Sequence, residues 1–370
     1  MMTTILRLPA KGDEPGVYLP VILASIEAWP SLNLATVSYG ISPLWTWLTG
    51  LLGQVFSPLV AGRLVSMMSW LGALFLYLRA RRGTQDIKNC DGLSLEVVIL
   101  FVMPVSFVFA MRCHPFWLGV LLLLSAFQFL RISVGGFAIA LAAAVSAQTF
   151  LVFAGMVGFA RSIAELLTMK AVVLLACVAV AVGIVGGWLL YGGRYPTDFK
   201  ASEYYAPYLS FDGFTEGYIP LQLGLFGWTS LIFIRAKVQT TIVPISLLFL
   251  LPVTMFALFS LEPVGPIFTA FGKFGVPGIW AGKALIVAGT YWIFRHGWQF
   301  AGIAVISALA LATLPFFYER YAWFVIIAMF MVRLSTDSDT RLRTFPTWLA
   351  WGGGFIAVGT AWAFSFIGSL

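Results

Sequence analysis

The sequence predicts an all-α fold: a polytopic membrane bundle of about twelve helical spans, preceded by an outer segment with two juxtamembrane amphipathic helices. Three observations predict it. Of the 370 residues, 60% are hydrophobic and only 10% are charged, against roughly 25% charged in a soluble domain. Apolar runs follow one another with short breaks, and mean hydropathy is +0.94. The breaks carry most of the lysines and arginines, so the net charge of +7 reflects membrane topology rather than nucleic-acid binding. The 33 Phe and 14 Trp suit lipid-facing surfaces and interfacial belts. Cys90, Cys113 and Cys177 have no CxxC spacing and no adjacent histidine cluster, which points to neither a zinc site nor a disulfide framework.

Taken in order, residues 1–12 are too short and polar to span a bilayer, and they lack the apolar core of a signal peptide. The outer segment 12–56 opens on Asp13-Glu14 and holds two short amphipathic runs, 17–29 and 43–55. Both fall short of the roughly 20 apolar residues a span needs. Both are expected at the membrane surface, with Trp29, Trp45 and Trp47 at headgroup depth. A first span over 57–78 runs into the densest basic loop, RARRGTQDIK, which the positive-inside rule makes cytoplasmic. Everything before that span then lies outside. Further spans are predicted near 94–111, 115–130, 169–191, 218–234, 241–261, 276–294, 300–314, 322–332 and 347–367, with two short or broken helices in 135–160. The second rich basic loop, RLSTDSDTRLR, falls on the same side as the first, which supports the alternation. No internal repeat appears, and 1–370 reads as one domain.

This topology gathers a mixed set of charges on the outer face. Asp13 and Glu14 come first: one would act as a general base while the other orients it or binds sugar hydroxyls. The plainer alternative is a solvated tail whose charge favours the 17–29 helix through its dipole. Arg112-Cys113-His114 forms a tight outer turn, suited to a lipid-linked phosphate or simply to anchoring two helix ends. Tyr318-Glu319-Arg320-Tyr321 would take a phosphate or a sugar ring, or else form an aromatic belt. The loop 192–217, rich in tyrosine and mixed charge, reads as a substrate lid or an ordinary connector. Arg63 and Lys283 lie within spans; each is a functional candidate or a snorkelling cation. There is no Walker motif and no DxD-type nucleotide–metal signature on the cytoplasmic side, and the glycines of GIVGG (183–187) read as helix packing.

Three stretches resemble the GT-C superfamily of polytopic glycosyltransferases, which use polyprenyl-phosphate sugars. GDEPGVYLPVI is similar to its acidic motif and first juxtamembrane helix. YGISPLWTWLTGLLGQVFSPLVAGRLVSMMSWLGALFLY resembles its second juxtamembrane helix and the following span, which here bears Arg63. PFFYERYAWFVIIAMFMV resembles its later RY element. The match covers the N-terminal third well and the rest loosely. In that superfamily a transmembrane helix precedes the acidic motif; here twelve residues do, and LRLPAKG resembles the outer end of such a helix.

The resemblance implies an inverting transfer of a sugar from a polyprenyl phosphate to a glycan, lipid or protein acceptor. It places the reaction at the outer face of a bilayer, the periplasmic side of a bacterial inner membrane by preference. Asp13 is the implied base. Arg112, His114, Lys200 and Arg320 are the implied partners of the donor phosphate. Tyr18, Tyr195, Tyr204, Tyr318 and Glu319 are the candidates for the sugar or acceptor. A divalent cation at Asp13 and Glu14 is compatible with the superfamily, but no residue pattern demands a metal. A lipid flippase or transporter, or an O-antigen polymerase or ligase, is the competing class. The absence of repeats and the outer position of the charges favour the transferase.

Overall fold

The computed structural model describes residue 10 and residues 14–31, 43–84, 97–129, 217–233, 266–295 and 319–336, with single residues at 305, 308 and 352. Among the described residues the secondary structure is helical, with no strand, so the fold class is all-α. The predicted spans over 169–191 and 241–261, the broken pair in 135–160, the loop 192–217 and nearly all of 300–314 and 347–367 lie outside the described residues.

The chain divides into two compact units. The first comprises Met1–Val152, Leu175–Phe199 and Thr344–Leu370; the second comprises Phe153–Leu174 and Lys200–Arg343.

In the first unit a π-helical turn, Glu14–Tyr18, leads into α1, Leu19–Ala28. The widening has a local cause. Pro20 has no N–H, so the ordinary bond back to the Gly16 carbonyl cannot form. A turn at Trp29 and Pro30 ends α1. The second run forms α2, Pro43–Gly53. The Gln54 side-chain amide donates to the carbonyl of Ile26 at 3.0 Å, tying the end of α2 to the end of α1. Of the three tryptophans expected at headgroup depth, Trp45 is instead packed inside. Trp29 and Trp47 are half-buried, their rings 4.7 Å apart and tilted by 54°, but Trp45 is fully buried in the core with Val21, Ile22 and Val65. Trp45 falls on the inward face of α2 with Thr46 and Thr49, so packing claims its ring.

The predicted first span is α3, Pro58–Thr84, which runs six residues past the expected end and takes in Arg79, Arg81 and Arg82. Its stretch Pro58–Arg81, 24 residues long, is long and apolar enough to cross a membrane. It buries Val65, Met67 and Tyr77, and it also carries polar side chains inside and apolar ones outside. Met68, Leu71, Phe75 and Leu78 form an exposed stripe, while Arg63, Ser66 and Ser69 are buried.

The next predicted span is broken. A π-helical turn, Val98–Val102, stops at Met103, whose extended ψ of 144° precedes α4, Pro104–Met111. Pro104 supplies the reason: it disfavours helical geometry at the residue before it and donates no hydrogen bond. Arg112 caps α4 in an extended conformation, and α5, Phe116–Phe129, follows.

The second unit contains α6 (Tyr218–Phe233), α7 (Pro266–Gly272), α8 (Gly275–Arg295) and α9 (Glu319–Thr336). Helices α6 and α8 approach closely enough that a Cβ on Gly224 would collide with the Ile286 carbonyl, which is why glycine stands there. The Trp228 indole N–H donates to the Leu285 carbonyl at 2.9 Å across the same contact. Helix α9 packs on α6 through Phe330 and Phe226, 5.2 Å apart.

Candidate functional site

The polar centre of the first unit is the seat of Glu14. This carboxylate is 2% exposed. Its Oε1 accepts the Arg63 Nε–H at 2.9 Å and its Oε2 accepts the Nη2–H at 2.7 Å, a two-pronged ion pair. Oε1 also accepts the backbone N–H of Cys113 at 2.9 Å. Each bond is charge-assisted, and the fork geometry fixes direction as well as distance. One carboxylate thus joins three elements: the first π-helical turn, helix α3 and the turn after α4. Arg63 does not snorkel as its place in a span suggested. It lies within the second turn of α3, and Glu14 reaches it there.

The Arg112–Pro115 turn is held again one helical turn further along α3. Ser66 Oγ accepts the His114 N–H at 3.0 Å. Its own proton serves the His114 carbonyl at 2.9 Å or the Gly62 carbonyl at 3.1 Å. Arg63 and Ser66 stand three residues apart, so they share one face of α3. Gly62, between the helix and the turn, lies so close that a Cβ there would meet Ile22 Cδ1 at 2.6 Å and Cys113 Sγ at 2.7 Å. The Cys113 thiol is buried, 3.6 Å from the Leu59 carbonyl. Burial pushes this thiol well up from its usual range, and the Glu14 carboxylate beside it adds to the shift. It is a packed thiol, not a nucleophile.

His114 is boxed in. Its ring lies 5.5 Å from that of Tyr18 and 4.4 Å from that of Phe109, edge to face with the latter. Tyr18 in turn sits 5.7 Å from Trp45. The imidazole Nδ1 accepts the N–H of Phe116, the first residue of α5, at 3.1 Å. It satisfies one of the helix's unpaired starting donors.

Of the residues singled out from sequence, the structure brings together Glu14, Tyr18, His114 and Arg63, with Arg112 half-buried in the same turn. Asp13, Tyr195, Lys200, Tyr204 and Tyr318 lie outside the described residues, as do the side chains of Glu319 and Arg320. Sequence reasoning missed Ser66 and the Cys113 N–H. The one available signal for Ser66 was its i, i+3 spacing from Arg63 on a span. Among the described residues no three His, Cys, Asp or Glu side chains gather into a metal-binding group.

Compared with known proteins, the chain matches no family model, no curated protein and no solved structure.

Proposed function

We propose that this chain is a multi-pass membrane glycosyltransferase of GT-C type, moving a sugar from a polyprenyl phosphate to an acceptor at the outer membrane face. One observation carries the proposal: Glu14, in the acidic pair, is locked by Arg63 near the start of an apolar helix and against the Arg112–His114 turn. Buried charge inside an apolar helix bundle is costly and marks function by default. The exposed apolar stripe on α3 supports a lipid environment for it, because the same side chains would be unfavourable in water.

The roles follow from the locked geometry. Glu14 has both oxygens engaged, so its work is to hold the acidic segment in place. Its chain neighbour Asp13 then takes the proton of the acceptor hydroxyl as that oxygen attacks the anomeric carbon. Charge grows on the departing phosphate, and fixed donors lower the barrier by meeting it. Arg112 and His114 flank Cys113, whose N–H bonds Glu14, and are the candidate donors in this reading, with Lys200 and Arg320 completing the set. The about twelve spans of the full bundle would supply a groove for the prenyl chain.

The test is transfer from a panel of synthetic short-chain polyprenyl-phosphate sugars by the full chain in detergent, with Asp13→Asn alongside. Transfer that falls by about 10³ or more in the variant supports both the class and the base. Transfer that survives the substitution keeps the class and removes Asp13 from the role. A folded chain that binds the lipid phosphate but transfers from no donor refutes the transferase and leaves the flippase class.

A further inference from the structure

We infer that the α7–α8 hairpin is inserted in lipid: its tip, Lys273–Pro277, sits among the headgroups of the outer leaflet, and α7 re-enters that leaflet beside α8 instead of standing in water. The inference rests on the membrane part of the proposed function and is independent of the sugar chemistry.

Three glycines build the hairpin. Gly275 turns the chain with a φ of +71°, where any other residue would pay for its Cβ. The Phe274 N–H donates to the Phe271 carbonyl at 3.0 Å and closes the turn. Gly278 and Gly282 stand four residues apart on α8, so they share one face. A Cβ on Gly278 would collide with the Phe271 carbonyl, and one on Gly282 would meet the Phe271 ring at 2.8 Å. Phe271 thus lies over the first two turns of α8, and the end of α7 is pressed against that helix.

The hairpin turns apolar side chains outward. Phe274 is 77% exposed, Val276 66% and Trp280 48%. The exposed face continues along α8 through Ala284, Leu285 and Ala288. No exposed residue among those described in α8 carries a charge or a hydroxyl, and the lysine of this helix, Lys283, is buried. That sorting is unfavourable in water and favourable in hydrocarbon.

The charge pattern selects the occupant. From Pro263 to Tyr318 the chain has no Asp or Glu, and Lys273 stands exposed at the tip beside Phe274. A cation at the rim of an apolar face, with the Trp280 indole further in, suits phosphate headgroups above acyl chains. A basic protein partner would find no carboxylate on this stretch. The sequence alone places 262–275 in an outer loop; the hairpin assigns its second half to the lipid boundary.

Spin labels with two relaxing agents decide the matter, because dissolved oxygen concentrates in lipid while a nickel chelate stays in water. Labels are attached at Ala270→Cys, Phe274→Cys and Leu285→Cys, and at Phe75→Cys on α3 for comparison. The full chain carries Cys90→Ser and Cys177→Ser, and Cys113 is buried and stays. In vesicles of phosphatidylcholine and phosphatidylglycerol, oxygen should dominate at Ala270→Cys and Leu285→Cys, and the two agents should balance at Phe274→Cys. Adding Lys273→Glu should shift the Phe274→Cys label toward the nickel chelate. Nickel dominating at Ala270→Cys and Phe274→Cys puts the hairpin in water and overturns the inference. Exclusion of both agents at Ala270→Cys and Leu285→Cys means that protein covers the face, and overturns it too. A Phe274→Cys label unmoved by Lys273→Glu overturns the headgroup placement of the lysine. The α3 label separates the failures: lipid there with water at the hairpin strikes the hairpin alone, while water at every site strikes the membrane placement itself.

Discussion

Both compact units turn buried hydroxyls back onto their own helices, Ser25 and Ser69 in the first among them, but the first adds a polar network between elements. In the first, Glu14, Arg63, Ser66, His114 and the Cys113 N–H come from separate elements and answer one another. In the second, Thr229 and Ser230 turn back onto their own helix, bonding the Leu225 carbonyl at 2.6 Å and the Gly227 carbonyl at 2.8 Å. Gln222 is fully buried, and among the described residues neither its amide nitrogen nor its amide oxygen has a partner. The first unit therefore uses polarity to position one segment against another. Among the described residues the second packs mainly by shape, glycine against carbonyl, with the Trp228 indole bond as a link between α6 and α8. A cross-element polar network has to be satisfied as a whole or it destabilises the fold, whereas shape packing tolerates an isolated polar misfit.

The sharpest way to break this comparison is to open the ion pair. Glu14→Ala leaves a guanidinium buried and uncompensated, at an expected cost of about 3–5 kcal/mol in thermal or denaturant unfolding in detergent. Glu14→Leu combined with Arg63→Met should recover most of that loss while leaving the chain inactive, because an apolar pair can fill the site but cannot hold the acidic segment. A single substitution that costs less than about 1 kcal/mol would show the pair behaving like a surface one.

Next in size is the shape-packed contact. Gly224→Leu should cost about 1–3 kcal/mol through overpacking against the Ile286 carbonyl. It should be read beside Gly62→Ala, which presses on both Ile22 and Cys113 and should also displace the Arg112–His114 turn. If Gly62→Ala reduces transfer no more than Gly224→Leu does, the first unit's close approach has no positioning role.

A smaller effect should appear with pH. The Cys113 thiol is pushed up in the folded chain, so the native state keeps its proton where the unfolded state has lost it. Stability from this group is complete below the unfolded thiol's range. It falls as pH rises beyond about 8.5, by about 1.4 kcal/mol per pH unit. Unfolding measured from about pH 8 to 10 should show this slope in wild type and a shallower one in Cys113→Ala. Equal slopes would mean the thiol ionises freely. The smallest effect belongs to Gln222. Replacing it by Met or Leu should be neutral or stabilising by about 1 kcal/mol, since an unpartnered amide leaves the core. A marked loss of stability would show that Gln222 has a partner role and that the two units are more alike than described.

Much of the helix placement was legible in the sequence, because apolar runs of span length announce themselves. The runs predicted over 57–78, 115–130, 218–234 and 276–294 correspond to α3, α5, α6 and α8 within a few residues, with α3 the longest overrun. The break at Met103 was missed although Pro104 was in plain view. A hydropathy run weighs side chains and ignores a missing N–H. The two short helices were found, but the burial of Trp45 was not, since composition does not say which face of a short amphipathic helix meets the core. Arg63 and Glu14 each stood out as charges in unusual places. That they belong to one another was invisible, because they lie 49 residues apart and pairing is set by the fold. The bond from the Phe116 N–H to His114 Nδ1 was equally invisible, since no residue pattern records it.

The seat of Glu14 also has an order of assembly. Its partners lie 49 and 99 residues downstream, so during synthesis the acidic residue is made first and seated last. If α3 enters a bilayer as proposed, Arg63 enters with it at a cost below the roughly 2.5–3.5 kcal/mol of an arginine at a helix centre, since it lies in the second turn. That cost is recovered only when the exported segment folds back and delivers its carboxylate. A ribosome that stalls before residue 113 leaves the pair without its third anchor. Completion of the N-terminal segment is thus a late event in biogenesis, and chains that fail there would present an unneutralised arginine to membrane quality control.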